Sequence, residues 1–220
     1  MNWLSANWAQ VLSLGASHLL LAVPAIAVTV LVAVPIGRLA FMRPRIGRPL
    51  LGLATLLYAI PALPMLIVIP LVFGTPLRSG TTMIIALSVY GVSLLVRTAE
   101  DAFASVDPEV RDAAVAVGNS ATSVFWRVDL PLATPVLISG IRVVTVSTIA
   151  LVTIGALIGV PSLGTLLTDG FQRGIVAEVA TGILATVILA LALDGLLLVA
   201  AWLLTPWTRP SRAPKVKEVA

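Results

Sequence analysis

The sequence has no cysteine and a single histidine, His18. Disulfide bonds and thiolate metal sites are therefore excluded, and no group of histidines can hold a metal ion. Lysine occurs only at Lys215 and Lys217, and neither follows a glycine, so the chain lacks the phosphate-binding motif G-x-x-x-x-G-K-[ST]. A protein with this sequence cannot hold the phosphates of ATP by that route.

Charged residues are also scarce. They make up 11% of the 220 residues, whereas 59% are hydrophobic, and soluble domains carry about 25% charged residues. A soluble protein of this composition would expose large apolar patches. The sequence therefore predicts an all-α membrane protein, a polytopic bundle of transmembrane helices. The net charge of +4 does not indicate a nucleic-acid partner, because basic residues in the loops of a membrane protein set its orientation.

Five segments approach the roughly 20 apolar residues that a bilayer core requires. They cover approximately residues 17–40, 50–73, 81–96, 132–159 and 179–204. The second segment carries Pro61, Pro64 and Pro70, which predict a kinked helix. Residues 1–16 are too short and too polar to span, and we expect them to form an extracytoplasmic segment at the membrane interface. A transmembrane domain then covers 17–207, and a basic tail covers 208–220.

The basic residues lie mostly on one side of the predicted bundle. They cluster after the first span, after the third span and in the tail, whereas the opposite loops hold only Arg78 and Arg173. Basic loops stay in the cytoplasm. We therefore expect an external N-terminus, a cytoplasmic C-terminus and a cytoplasmic loop at 98–131.

The longest polar stretch between two predicted spans runs from Asp107 to Pro131. Asp107 is a good N-cap and Pro108 suits the first helical position, so a short helix is predicted to begin there. Gly118 can end that helix in a left-handed conformation. Residues 119–120 can cap a second short helix, which we expect Pro131 to end.

The same stretch resembles the "EAA" loop of the permease subunits of ABC importers, whose pattern is E-A-A-x3-G-x9-I-x-L-P. The chain departs from it only by Asp112 in place of Glu and Val128 in place of Ile. In that family the loop forms coupling helices that dock into a groove on a cytoplasmic ATPase. The resemblance implies that these residues contact such an ATPase: Glu109, Asp112, Ala113, Ala114, Gly118, Val124, Phe125, Leu130 and Pro131. We expect Val124 and Phe125 to fill an apolar pocket on that partner.

The resemblance extends to the spans, through Y-A-I-P-A-L-P at 58–64, the stretch 140–164 and I-L-A-L-A-L-D-G-L-L around Asp194. Over about 17–207 the chain is similar to permease subunits of osmoprotectant importers, which carry glycine betaine, carnitine, choline or proline. The resemblance implies a MetI-like bundle of about five transmembrane helices in a bacterial inner membrane. It also implies a second permease subunit, two ATPase subunits that bind ATP and Mg²⁺, and an extracytoplasmic substrate-binding protein. No cofactor is expected on this chain.

Asp194 is an unusual residue for the centre of a span, because a carboxylate in hydrocarbon costs a few kcal/mol unless it is paired. Arg142 lies at a similar depth in the preceding span, about 15 Å from the cytoplasmic end. We therefore expect an intramembrane ion pair between Arg142 and Asp194. The alternative is that Asp194 contacts a cationic substrate.

The prolines of the second span free backbone carbonyls, which are tolerated at membrane depth where they line a cavity. Tyr58, Pro61 and Pro64 are therefore candidates for the substrate pathway, although a packing kink without substrate contact is an alternative. Two other functions stay open. The chain could be the permease of an importer for another small solute such as an amino acid, or a channel or scaffold that is not coupled to ATP. A membrane-embedded enzyme is disfavoured, because Asp194 and His18 cannot supply a catalytic pair.

Overall fold

The computed structural model describes residues 2–208, and the regular structure in this range is entirely helical. The predicted helical membrane bundle is confirmed: four single helices and one broken pair are long and apolar enough to cross a bilayer. The α-helices of this range are α1 Asn2–Met42, α2 Pro44–Ala59, α3 Ala62–Phe73, α4 Gly80–Ala104, α5 Pro108–Ala116, α6 Ala121–Val124, α7 Leu130–Val152, α8 Gly164–Arg173 and α9 Val176–Leu204. The predicted basic tail, 208–220, lies outside the described residues apart from its first position.

The first helix is longer than the sequence predicts. It runs without a break through the expected interfacial segment 1–16 and the first span, so no helix boundary separates the two. Ser17 does not cap a new helix, because its hydroxyl donates to the carbonyl of Ser13 one turn earlier. The 41 residues of α1 extend about 60 Å, roughly twice the thickness of a hydrocarbon core. Its N-terminal turns pack on α8, where Leu14 and Leu166 belong to one apolar cluster.

The proline-rich span is a broken helix, in which α2 and α3 bend by 115° at their junction. Pro64 has no N–H to donate to the carbonyl of Ile60, four residues earlier. The hydroxyl of Tyr90 in α4 donates to that carbonyl instead. The predicted kink is therefore a sharp break whose freed carbonyl is satisfied by a neighbouring helix.

Helix α4 lies at the centre of the bundle and is the most buried of the four single spans. It packs closely against α1 through small residues on both helices. A Cβ atom on Gly37 of α1 would lie 2.5 Å from the Cβ of Ala99 in α4. Membrane helices approach this closely only where small residues meet.

The loop helix α6 runs directly into the next span, so the expectation that Pro131 would end it is wrong. A wide π-helical turn, Phe125–Asp129, joins α6 to α7. In this turn the N–H of Leu130 donates to the carbonyl of Phe125, five residues back. The wider turn accommodates the proline ring, which in a regular helix would clash with the carbonyl four residues earlier.

The C-terminal ends of α1, α4 and α9 bring Met42, Phe103 and Leu204 together around one groove, at the end of the bundle that also carries α5 and α6. This end is called the loop end below. At the opposite end the chain turns at Gly159 with φ of 83° and forms α8, which the sequence analysis did not predict. Helix α8 then packs on the start of α9, where Gly170 and Gly182 allow the close contact.

Candidate functional site

The polar loop folds as a helix, a glycine turn and a second helix, which confirms the local structure predicted from the sequence. The Asp107 carboxylate caps α5 by accepting from the Glu109 N–H at 2.8 Å. Gly118 adopts φ of 89°, in the left-handed region that favours glycine. Ser120 caps α6 by accepting from the Ser123 N–H at 3.3 Å.

Helix α5 has no buried residue and is exposed except at the half-buried Arg111 and Ala114. Glu109, Asp112 and Ala113 are exposed, and Ala114 is half-buried. Two apolar side chains near the glycine turn are notably accessible: Val115 is 58% exposed and Val117 is 79% exposed. Another protein can contact this surface, which is composed of α5 and Val117.

Two residues expected on that surface face the chain's own interior. Val124 is buried, and Phe125 is half-buried with its ring 6.3 Å from that of Phe103. The expectation that this pair fills a pocket on a partner is therefore wrong for this structure, because the two side chains fill the space beneath the loop. The exposed aromatic residue of the segment is Trp126, which the sequence analysis did not select. Leu130 and Pro131 are half-buried at the start of α7.

Beneath the loop lies an ion cluster that the sequence analysis missed. The side chain of Asp129 is 6% exposed and accepts from two arginines: Nη1 of Arg38 at 2.9 Å and Nε of Arg111 at 2.6 Å. Arg38 belongs to α1, Arg111 to α5, and Asp129 to the π-helical turn before α7. This cluster, here called the Asp129 clamp, joins three separate elements at the loop end. The available signal was an acidic residue within the apolar run V-D-L-P.

Further contacts fix the two arginines of the clamp. The guanidinium of Arg38 lies 3.9 Å from the ring centre of Phe125, and that of Arg111 lies 4.8 Å from the ring centre of Phe41. Arg111 also donates to the carbonyl of Phe103 near the end of α4. Cation–π contacts of this kind stabilise a partly desolvated arginine by about 0.5–2 kcal/mol. The loop is therefore held to α1, α4 and α7 by both charge and packing.

The structure brings Arg142 and Asp194 together within the spans. Nε of Arg142 donates to Oδ1 of Asp194 at 2.7 Å, and Nη2 donates to Oδ2 at 2.8 Å. This two-pronged geometry is the strong form of an arginine–carboxylate pair. The pair lines an open cavity of about 550 Å³ together with Ser139, Val143 and Ser147. It therefore joins α7 to α9 and also faces a polar space.

The candidate pathway residues lie at the break between α2 and α3. Pro61 and Pro64 are exposed, and Tyr58 is 54% exposed. The rings of Tyr58 and Tyr90 pack edge to face, with centroids 6.2 Å apart and planes at 80°. Tyr58 lines a cavity that it shares with Tyr90 and residues of α7. Within the described part of the chain, no group of three or more carboxylates or histidines could hold a metal ion.

Comparison with known proteins identifies the family. Residues 29–210 match the model of the binding-protein-dependent transport system inner membrane component. The chain belongs to this family. It is a multi-pass permease subunit of the inner membrane, and its role is transport.

Two curated permeases and one solved structure are similar over most of this permease. The osmoprotectant import permease protein OsmW of Salmonella typhimurium is 31% identical over 94% of this chain and 97% of its own length. The glycine betaine/carnitine/choline transport system permease protein OpuCD of Bacillus subtilis is 28% identical over 90% of this chain and 85% of its own. The fold matches an inward-facing structure of the MetNI methionine ABC transporter, with a TM-score of 0.73 and 20% identity over 91% of this chain and 97% of that one.

Proposed function

We propose that this permease carries compatible solutes into the cytoplasm as part of an ATP-driven importer. The solutes would be glycine betaine, choline, carnitine or proline. The observation that carries the coupling to ATP is the exposed α5 surface, presented at one end of the bundle and fixed to α1 and to the start of α7 through the Asp129 clamp. A loop that served only to connect two spans would not require a buried carboxylate shared by two arginines.

The substrate class is supported by the relatives. Two permeases that this chain matches over nine-tenths of its length are named for osmoprotectants and for glycine betaine, carnitine and choline. Three of these named solutes contain a trimethylammonium group. The similarity to a methionine transporter concerns the fold alone, so an amino acid is the second solute class to test.

The assembly that we propose contains two permease subunits, two ATPase subunits and an extracytoplasmic binding protein. The ATPases would bind ATP and Mg²⁺ and would dock on α5 at the loop end. The basic residues of the loop end support a cytoplasmic location for it and an external N-terminus, because positively charged loops are retained inside. Substrate would cross between the two permeases as the bundle alternates between outward and inward openings.

The coupling surface can be tested with two matched tryptophan variants. A Cβ on Gly118 or on Gly174 meets no atom within 4 Å, and both glycines have positive φ, of 89° and 70°. Gly118→Trp and Gly174→Trp therefore introduce similar backbone strain and a similar projecting ring at two distant places. The ATPase should co-purify with the native chain and with Gly174→Trp, and should be lost from Gly118→Trp. Retention of the ATPase by Gly118→Trp would contradict the proposed surface.

The substrate class is tested separately by uptake into proteoliposomes that contain the complete transporter and its binding protein. The uptake of each solute is measured with and without ATP on the side of the membrane where the ATPases lie. The labelled solutes are glycine betaine, choline, carnitine, proline and methionine. ATP-dependent uptake of at least one of the first four solutes is expected. Uptake of methionine alone would assign the permease to an amino-acid importer, and uptake without ATP would favour a channel.

A further inference from the structure

A cavity of about 270 Å³ lies between α2, α4 and α7. Its lining includes Tyr58 and Tyr90, the backbone of Gly91, and the hydroxyl-bearing residues Ser147 and Thr148. Small-molecule sites generally measure about 300–1,000 Å³. This cavity therefore suits a compact molecule rather than a large one.

Both tyrosines of the chain lie at this cavity. The two side chains differ in burial. Tyr90 is buried and its hydroxyl donates to the Ile60 carbonyl, whereas Tyr58 is 54% exposed. Their edge-to-face arrangement at 6.2 Å leaves at least one face of the Tyr58 ring uncovered by Tyr90. The fixed ring positions the accessible one, so the cavity has a preformed aromatic wall.

The cavity lies near the middle of the bundle. Tyr90 is ten residues into α4, which corresponds to about 15 Å, half of a hydrocarbon core. The break between α2 and α3 is at the same level, because Tyr90 reaches the Ile60 carbonyl. A solute that crosses the membrane along this face has to pass these side chains.

The cavity offers aromatic faces and hydroxyls but no free carboxylate. The neighbouring cavity, which shares Ser147, contains Asp194, but that carboxylate is held by Arg142 at 2.7 and 2.8 Å. An aromatic face attracts a quaternary ammonium group without a hydrogen bond. Attraction of this kind is weak enough to let a transported cation leave again.

We propose that Tyr58 and Tyr90 form a transient site for the trimethylammonium group of the solute during its passage. This inference rests on the proposed function, since it requires that the solute carry such a group. Tyr58 supplies the accessible ring face, Tyr90 fixes it, and Ser147 and Thr148 supply the polar side of the cavity.

The first test measures choline transport by the complete transporter in proteoliposomes, with Tyr58→Leu, Tyr58→Phe and the control Leu56→Ala. Leu56 is 68% exposed on the same helix, but two residues away it points about 200° from Tyr58. Tyr58→Leu should lower the maximal rate about three- to thirtyfold, the equivalent of a partly desolvated cation–π contact. The half-saturating concentration should stay unchanged, because the binding protein captures the solute. Tyr58→Phe should keep the native rate, because it retains the aromatic ring. Co-purification with the ATPase verifies that each variant is folded.

The second test does not depend on transport of any particular solute. Because the chain has no cysteine, Tyr58→Cys and Leu56→Cys each introduce a single thiol into it. A methanethiosulfonate reagent that bears a trimethylammonium group should modify Cys at position 58 and leave position 56 unmodified, as measured by the mass of this chain. Excess choline should slow the reaction at position 58.

The outcomes separate this site from the proposed function. If the transporter imports choline but Tyr58→Leu transports at the native rate, the aromatic site is refuted and the proposed function stands. If position 58 reacts no faster than position 56, the cavity is closed to cations and the site is refuted as well. If the transporter imports proline but no quaternary ammonium solute, the site is refuted and the proposed function stands. If it imports none of the four proposed solutes, both the function and the site are refuted.

Discussion

Replacing Asp129 by asparagine is expected to release the polar loop from the bundle. The Asp129 carboxylate is 6% exposed and is the shared partner of Arg38 and Arg111, at 2.9 and 2.6 Å. Asparagine has nearly the same shape but carries no charge and only one acceptor oxygen. The substitution therefore leaves two partly buried guanidinium groups without a compensating negative charge.

The size of the effect follows from this geometry. Removal of one partner from a buried ion pair costs about 3–5 kcal/mol, because an uncompensated charge stays buried. Arg111 keeps its bond to the Phe103 carbonyl, and the asparagine oxygen keeps one of the two contacts. We therefore expect a cost near the lower limit, about 3 kcal/mol, which corresponds to an increase on the order of 100-fold in the open population.

Limited trypsin digestion of the solubilised chain measures the fraction of molecules with a released loop, through cleavage after Arg111. When opening and closing are faster than cleavage, the cleavage rate follows the fraction of molecules that are open. Asp101→Asn is the matched control, because it removes the same charge from an exposed position on α4. Asp129→Asn should be cleaved on the order of 100-fold faster, and Asp101→Asn at the native rate. Equal cleavage of all three proteins would refute the view that the clamp fixes the loop.

Three further sets of substitutions have defined outcomes. Reversal of either charge in the pair of Arg142 and Asp194 should reduce the yield of assembled transporter by up to about 100-fold, since an unpaired charge at mid-span costs about 3 kcal/mol. Reversal of both charges together should recover the yield. Failure of that rescue would contradict a purely structural pair. Tyr90→Phe should lower the thermal midpoint by a few degrees, because a freed carbonyl loses its donor at a cost of about 1–3 kcal/mol; an unchanged midpoint would show that water replaces the hydroxyl. Gly37→Ala should destabilise the bundle by about 1–3 kcal/mol in a thermal unfolding assay. In the same assay Gly15→Ala, with no atom within 4 Å of the new Cβ, should stabilise α1 by about 0.5–1 kcal/mol, because alanine favours a helix interior over glycine.

The parts of the structure that depend only on residues close together in the sequence could be predicted from it. The caps at Asp107 and Ser120 and the left-handed Gly118 are set by short-range hydrogen bonds and backbone sterics, so their residue types alone indicated them. The Asp129 clamp was missed because Arg38 and Asp129 are 91 residues apart. Their contact depends on how the ends of α1 and α7 meet, which no local pattern specifies.

The Arg142–Asp194 contact was accessible to prediction although the two residues are 52 positions apart. A charge within hydrocarbon is so costly that it requires a partner, and few candidates existed at the same depth. The side chains of Val124 and Phe125 offered no such constraint. An apolar residue on a loop can face a partner protein or its own bundle. Here Phe125 faces the bundle, because its ring contacts the ring of Phe103 and the guanidinium of Arg38.

The continuity between α6 and α7 gives the loop a direct mechanical connection to the middle of the bundle. Had Pro131 ended the loop helix, movement of α6 would have been absorbed by a flexible joint. Instead, α6, the π-helical turn and α7 form one helical rod that carries Arg142 and Ser147 at the two central cavities. Ser147 lies 17 residues beyond Leu130, or about 25 Å along α7. A displacement of the loop is therefore expected to move the walls of both cavities, and the Asp129 clamp would make α1 follow the same displacement.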